Sequence, residues 1–291
     1  MELQGRLPEL QRKGLGLAAI SYDAPDIVAR FSRERGITFP LLSDVGSTTI
    51  KRFGILNTLA EEGLGSNSND PVLAADVKKY VSAVGVFPRM VGMAYPGTFI
   101  LDRSGRVRSR FFEEAYNERN TVSNIMMRVG DKGSVVAGTA IATDHLDINT
   151  YPGEASVSVG NRFSIFLDVT PRPRIHVYAP GSSGYQVIGV RIASQPFVRA
   201  LPIAYPASQS YTFKPLNERV QVYEKPFRLA QEIVLEGSPE ATRMLRGQES
   251  LTLTGSLEYQ ACDDKVCFNP ASVPLSWTIP LRALVPGGRL Q

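Results

Sequence analysis

Two cysteines, Cys262 and Cys267, and two histidines, His145 and His176, are all the thiols and imidazoles in the 291 residues. Structural zinc normally takes four such ligands, often in paired motifs. Here the cysteines are far along the sequence from both histidines and neither histidine is paired, so no metal is expected. There is no G-x-x-x-x-G-K-[ST] and no G-x-S-x-G. Gly14-Leu15-Gly16 lacks the third glycine of a dinucleotide fingerprint and runs into Leu17–Ile20, which reads as a strand. Nucleotide binding and serine hydrolysis fall away, and no cofactor is expected. Thiol chemistry, or binding without covalent chemistry, remains.

Strands expected at Leu251–Gln260 and Val273–Ile279 flank the cysteines, so the pair closes a short hairpin loop of Asp263, Asp264, Lys265 and Val266. Facing residues in an antiparallel pair lie about 4.5–5.5 Å apart at Cα, within the range of about 4.4–6.8 Å that a disulfide accepts. A bridge over so short a loop constrains the unfolded chain little, which favours a labile, working disulfide over a passive clasp. Asp263 and Asp264 favour the neutral thiol and Lys265 the thiolate, leaving the net sign open. Tyr259 and Phe268 are candidates to shield the sulfurs, although two aromatics beside a strand more often pack simply in the core or pleat, which is the favoured reading. Alternation in Arg174-Ile175-His176-Val177-Tyr178 turns His176 away from the face of Ile175 and Val177, as for a surface or hydrogen-bonded strand histidine. His145 has no supporting context, and Trp277 reads as core.

The elements that must position these residues fall into two halves, as the length suggests. Hydrophobic residues make up 43% and charged residues 21%, an ordinary globular balance. The net charge of +4 is scattered rather than gathered into a stripe, so nucleic acid is not an expected partner. No run reaches the roughly 18 apolar residues of a membrane span, and the opening Met1-Glu2-Leu3-Gln4-Gly5-Arg6 is not a signal segment.

Residues 1–130 alternate helix and strand, an α/β pattern. Leu3, Leu7, Leu10 and Leu15 mark a first helix. Asp23 stands as N-cap before Pro25 and a second helix, and Ser47–Phe53 and Val72–Val84 are further helical segments. Glu61–Asn69 reads as a loop, Thr98–Leu101 and Val107–Phe112 as a hairpin, and Asn120–Val129 as a terminal helix. A linker is placed at 131–138. From 139 to 285 come short strands at Thr139–Thr143, Ala155–Val159, Arg162–Val169, Ile175–Tyr178, Val187–Ile192, Arg228–Leu235, Ser250–Gln260 and Val273–Ile279, with one short helix at Pro239–Arg246. That is the pattern of an all-β sandwich.

Two family resemblances are carried by particular residues. Tyr95-Pro96-Gly97-Thr98-Phe99-Ile100-Leu101-Asp102-Arg103-Ser104-Gly105-Arg106-Val107, with Ala19–Asp23 and Phe39–Asp44, resembles the redoxins, the thioredoxin-fold group that contains peroxiredoxins of the alkyl hydroperoxide reductase and thiol-specific antioxidant type. The resemblance implies a cis peptide bond before Pro96, facing a redox dithiol. The chain begins inside what would be the first redoxin helix, and residues 1–261 contain no cysteine. Thiolate chemistry is therefore absent from this region. The expectation is an incomplete thioredoxin-like domain, from a start placed too far downstream or a fragmentary gene, in preference to a degenerate scaffold.

Leu257-Glu258-Tyr259-Gln260-Ala261-Cys262 through Cys267-Phe268-Asn269-Pro270, together with His176-Val177-Tyr178-Ala179-Pro180, resembles the amino-terminal, immunoglobulin-like domain of the thiol:disulfide interchange protein DsbD. The C-x₄-C spacing is shorter than in the best-known member. The resemblance implies a periplasmic or extracytoplasmic thiol-disulfide oxidoreductase, with Cys262 and Cys267 catalytic and a thioredoxin-like or membrane electron-transfer protein as partner. In a full-length form it also implies peroxiredoxin-like antioxidant activity. The alternative is a non-catalytic interaction module with a structural Cys262–Cys267 bridge.

Overall fold

The computed structural model describes residues 2–65, 70–112, 118–128, 136–213 and 218–282. The chain divides into two compact units, Met1–Tyr116 and Asn117–Gln291. The sequence reading carried the first domain on to residue 130. Most of the expected linker 131–138, residues 66–69 of the expected loop and residues 283–285 lie outside the described residues.

In the first unit α1 (Glu2–Arg12) leads to β1 (Ala19–Ser21), α2 (Pro25–Arg35) and β2 (Leu41–Ser43). Strands β1 and β2 pair in parallel across the α2 crossover, the smallest βαβ arrangement. The expected cap is corrected: Ala24 is the N-cap of α2 and makes no side-chain bond, while Asp23 accepts a bond from the Ser21 hydroxyl. Gly36 ends the helix at φ 60°, a left-handed conformation that glycine adopts without steric cost. Helices α3 (Thr48–Arg52), α4 (Thr58–Glu62) and α5 (Pro71–Val84) follow, then a 3₁₀ turn at Pro88–Met90. The Asp44 carboxylate receives the N–H groups of Thr49 and Ile50 at the start of α3, and Asp70 receives those of Val72 and Leu73 at the start of α5. A small core of Ala60, Tyr80, Met90 and Met93 ties α4 and α5 to the turn.

The expected hairpin is present as β3 (Gly97–Leu101) against β4 (Val107–Phe112). Its turn is held by Asp102, whose Oδ1 accepts from the N–H groups of Ser104 and Arg106. The expected cis bond before Pro96 is not there: no peptide among the described residues is cis. The Tyr95 N–H reaches the Ile55 carbonyl, and the chain enters β3 through the trans form that X-Pro bonds ordinarily favour. Among the described residues the four strands of this unit form two separate pairs, β1–β2 and β3–β4.

The second unit opens with β5 (Arg119–Asn120) and α6 (Val122–Arg128), followed by β6 (Thr139–Ala142), β7 (Leu146–Pro152), β8 (Asn161–Pro171), β9 (His176–Tyr178) and β10 (Gly189–Ile192). Then come β11 (Val198–Ala200), β12 (Gln209–Phe213), β13 (Glu218–Tyr223), β14 (Phe227–Leu235), α7 (Pro239–Met244), β15 (Ser250–Tyr259), β16 (Ala261–Cys262) and β17 (Ala271–Pro280). Helix α6, read from sequence as the end of the first domain, packs on this unit instead. Met127 lies against Phe166 and Tyr151, and Asn124 accepts a bond from the buried Ser164 hydroxyl. Both faces of β8 are therefore covered, which is why its burial runs almost without alternation.

Among the described residues three sheets organise the unit, in the orders β11-β14-β8-β7-β6, β10-β15-β17 and β12-β13-β9-β16. The first two share one apolar core. Phe163, Ile165, Leu167 and Val169 of β8 meet Leu251, Leu253 and Leu257 of β15 and Val273, Leu275, Trp277 and Ile279 of β17. Strand β17 alternates strictly, with those four residues buried and the intervening Ser272, Pro274, Ser276 and Thr278 exposed. The Trp277 indole N–H is satisfied inside the core by Thr150 Oγ1 at 2.9 Å. Ala155–Val159, expected as a strand, contributes only a bridge from Val157 to Leu281.

Gly255 lets β10 and β15 approach, because a Cβ there would collide with the Arg191 carbonyl oxygen. Backbone cannot yield as a flexible side chain does. Gly255→Ala is expected to destabilise the protein by about 1–3 kcal/mol, read as a lowered urea midpoint. An unchanged midpoint would contradict this close approach.

Candidate functional site

Strand β15 pairs with β17 up to Tyr259 and Ala271, and residues 260–270 leave that sheet. Ala261–Cys262 turns aside to pair with β9 of the third sheet, Ala261 opposite Val177 and Cys262 opposite His176. Gln260 anchors the departure: its side-chain oxygen accepts from the Gln186 N–H and its amide donates to the Phe268 carbonyl. A tight turn then brings the chain back. Phe268 N–H bonds the Ala261 carbonyl and Asp263 N–H bonds that of Val266. Asp263 Oδ1 closes the tip by accepting the N–H groups of Lys265 and Val266, both at 2.7 Å. Those bonds, with Lys265 and Arg174 nearby, hold the Asp263 carboxyl below its usual range. The short hairpin read from the sequence is thus present, but it is paired to β9.

Cys262 and Cys267 face each other across this turn and form a disulfide, with Cα atoms 4.1 Å apart. The two residues differ in burial. Cys262 is fully buried, whereas Cys267 is partly exposed beside Val266, which is 53% exposed. Strand alternation places Val177 and Ala261 in the main core and turns His176, Tyr178 and Cys262 to the opposite face. On that face Tyr178, Val220, Val222 and Cys262 form a second apolar cluster, with Tyr185, Tyr211 and Cys267 packed on it.

Tyr178 is the polar group in contact with the bridge. Its hydroxyl lies 2.9 Å from Cys262 Sγ and 3.2 Å from Cys267 Sγ. A disulfide carries no proton, so the hydroxyl is the donor. The Tyr185 ring stacks on Tyr178 with centroids 4.0 Å apart, and its own hydroxyl donates to Glu218. Burial, and then the neighbouring Tyr185, push the Tyr178 hydroxyl well above the ordinary tyrosine range, so it stays protonated at any physiological pH. Tyr211 donates to Asp264 at 3.1 Å.

His176 is not the surface or bonded histidine that alternation suggested. Both faces of β9 are buried, and the ring, 2% exposed, sits against Tyr211 at 4.5 Å and edge-on to Tyr178 at 5.9 Å. Its Nε2 has no hydrogen-bond partner. Burial lowers its pKa, outweighing Glu224, Asp264 and Asp263, which act in the opposite direction.

The other residues singled out from sequence lie elsewhere. Tyr259 is buried in the main core with its hydroxyl 3.2 Å from Thr143 Oγ1, and Phe268 packs against that core. The His145 ring lies 4.4 Å from Phe268. Pro96 belongs to the first unit. The rings packed with the sulfurs are Tyr178, Tyr185 and Tyr211. Tyr178 was legible as the i+2 neighbour of His176 on one strand face. Tyr185 and Tyr211 carried no local signal, since tertiary pairing brings them in.

Residues 1–110 match the AhpC/TSA family. No curated protein matches the chain. Among solved structures the chain is similar to the N-terminal periplasmic domain of ScsB from Proteus mirabilis, at 17% identity and a TM-score of 0.35, over 48% of this chain and 51% of that one. The match thus spans about half the length of that structure.

Two outcomes follow from the geometry. Tyr178→Phe removes the donor that would stabilise a departing thiolate. A hydrogen bond to a charged acceptor is worth about 1.5–3 kcal/mol, so reduction of the bridge by dithiothreitol should slow about tenfold or more at pH 7. An unchanged rate would remove Tyr178 from the chemistry. For His176, the unfolded ring binds a proton below its ordinary 6.5 whereas the folded ring does so only at lower pH. Its contribution to stability is complete above pH 6.5 and is lost as pH falls from there through the folded pKa. Urea midpoints of the wild type should therefore fall more between pH 7 and 5.5 than those of His176→Gln. Parallel slopes would contradict the neutral, buried ring.

Proposed function

We propose that this chain is a thiol-disulfide oxidoreductase working through Cys262 and Cys267. On this reading the bridge sits on an immunoglobulin-like sandwich of the DsbD amino-terminal kind, preceded by a thioredoxin-like redoxin domain. The observation that carries the reading is a disulfide between a buried Cys262 and a partly exposed Cys267, with a single buried hydroxyl within bonding distance of both sulfurs. The AhpC/TSA match over residues 1–110 supports a redox setting. That region holds no cysteine, so the electron path proposed for this chain runs through the second unit alone.

The steps follow from access. A donor protein's thiolate attacks Cys267 Sγ, the Cys262–Cys267 bond breaks, and a mixed disulfide forms at Cys267. Cys262 leaves as a thiolate carrying the electron pair, with the Tyr178 hydroxyl donating to it. The donor's second thiolate then attacks its own sulfur in the mixed disulfide and releases Cys267. The donor ends oxidised to a disulfide and this chain ends as a dithiol. The partner class is a thioredoxin-like or membrane electron-transfer protein, and an oxidising, extracytoplasmic compartment suits the resting bridge. No helix among the described residues is long and apolar enough to cross a membrane.

The decisive measurement is the reduction potential of the pair, with exchange against a reduced thioredoxin-like donor. A working bridge should lie above about −300 mV and exchange readily. A potential well below that value with no exchange would overturn the proposal and leave a structural clasp on an interaction module. Replacing both cysteines by serine should abolish electron transfer while leaving partner binding intact.

A further inference from the structure

The unpartnered Nε2 of His176 stands out because nearly all buried polar atoms find a hydrogen-bond partner. The ring is 98% buried by its 2% exposure, so water does not supply the missing bond. Its backbone neighbour across the β9–β16 pair is Cys262, directly in register. Directly opposed side chains share one sheet face, with Cβ atoms about 4.5–5.5 Å apart. In the disulfide form Cys262 Sγ carries no proton and has nothing to donate. Reduction changes that by placing an S–H on the same face as the free nitrogen.

We infer that His176 Nε2 is the proton acceptor for the Cys262 thiol when the dithiol form passes its electrons on. The inference rests on the redox reading of the pair and adds the base that reading lacks. In this direction Cys267 attacks a partner's disulfide and forms a mixed disulfide with it, releasing the partner's other sulfur as a thiolate. Cys262, buried and protonated, must then be deprotonated to resolve that bond. The thiol proton moves to His176 Nε2, and Cys262 Sγ attacks Cys267 Sγ. The Cys262–Cys267 bond forms, the Cys267–partner bond breaks, and the partner leaves as a thiolate with the electron pair. The ring returns its proton to solvent or to that thiolate.

The surroundings suit the task. On its own strand the ring meets Tyr178, and from β12 it meets Tyr211. The charged groups acting on it are the carboxylates Glu224, after β13, and Asp263 and Asp264, in the turn after β16. All three favour the imidazolium that forms transiently. Burial keeps the ring neutral between turnovers, which is the state a base must start from. Tyr178 cannot take this role, because its hydroxyl remains protonated and serves both sulfurs as a donor.

The test uses the full chain, reduced, and mixed with dithiobis(nitrobenzoic acid), which releases one coloured thiolate when Cys267 attacks and a second when Cys262 resolves. His176→Gln keeps a polar side chain and His176→Phe keeps the ring packing. In both, the first release should be nearly unchanged and the second should slow at least about tenfold at pH 7. The deficit should close as pH rises toward the ordinary thiol pKa of about 8.5, where hydroxide replaces the base. Equal second releases at pH 7 in wild type and variants would overturn the inference, as would a deficit of constant size at every pH, which is the signature of lost packing. If the variants do not fold, the wild type alone decides. The chain has two histidines, and the NMR titration midpoint of His176 should fall on reduction, because a Cys262 S–H bonded to Nε2 favours the neutral ring; a midpoint that does not move overturns the inference. A wild type whose cysteines fail to exchange at all overturns the redox reading itself, whereas normal exchange with indifferent variants overturns only the role of His176.

Discussion

The pairing of two residues, Ala261 and Cys262, with β9 governs everything else at the site. Without it residues 260–270 would be a plain loop between β15 and β17, and the cysteines would project from the end of the main sheet. With it, the same alternation that sends Val177 and Ala261 into the large core delivers His176, Tyr178 and Cys262 to a separate small cluster. A register slip of one residue would exchange the faces, burying the sulfur in the aliphatic core and turning Val177 toward the tyrosines. Gln260, bonded to both Gln186 and Phe268, and the Phe268–Ala261 backbone bond pin that register from outside the strand.

Burial of β9 on both faces has an electrostatic consequence. Desolvation raises the tyrosine and lowers the histidine, so both groups beside the sulfurs rest in their neutral forms. The Tyr178 hydroxyl in contact with both sulfurs carries no charge at rest. Charge develops there only when the disulfide opens, and a low-polarity setting with a fixed hydroxyl donor responds to that charge more strongly than water-exposed groups would. The carboxylates of Glu218 and Asp264 sit one step out, on the hydroxyls of Tyr185 and Tyr211. There they orient the aromatic rings rather than contact sulfur.

Much of this was legible in the sequence where a single segment decided its own fate. The alternation of Val273, Leu275, Trp277 and Ile279, the Asp102–Gly105 turn between β3 and β4, and the Asp263–Val266 tip all rest on local chemistry, and the structure contains each of them. Legibility failed where a distant partner decided. Leu146–Pro152 carries Asp147, Asn149 and Thr150 and reads weakly as a strand, yet Thr150 is buried because Trp277 needs an acceptor. Strands β12 and β13 are polar on one face and were missed, and with them Tyr211. Helix α6 looked like the end of an α/β domain because its burial against β8 depends on Ser164 and Phe166, more than thirty residues downstream. The burial of His176 is not legible for a related reason: alternation tells which face a residue takes, and cannot tell that both faces are covered.

On the proposed mechanism, one asymmetry orders the events at the bridge. Tyr178 lies nearly equidistant from the two sulfurs, so hydrogen bonding alone does not choose which of them departs. Access does choose, because attack on a disulfide needs a collinear approach that a fully buried Cys262 denies and a partly exposed Cys267 permits. On that proposal, reduction of the bridge releases the thiolate on the buried side. It appears on the face that carries His176, away from the exposed turn formed by Asp264, Lys265 and Val266. Under the proposed mechanism, partner recognition and charge stabilisation are thereby assigned to different sulfurs. The turn can vary to suit a partner while β9 keeps the chemistry constant, and this division follows from a two-residue strand whose cysteine faces inward.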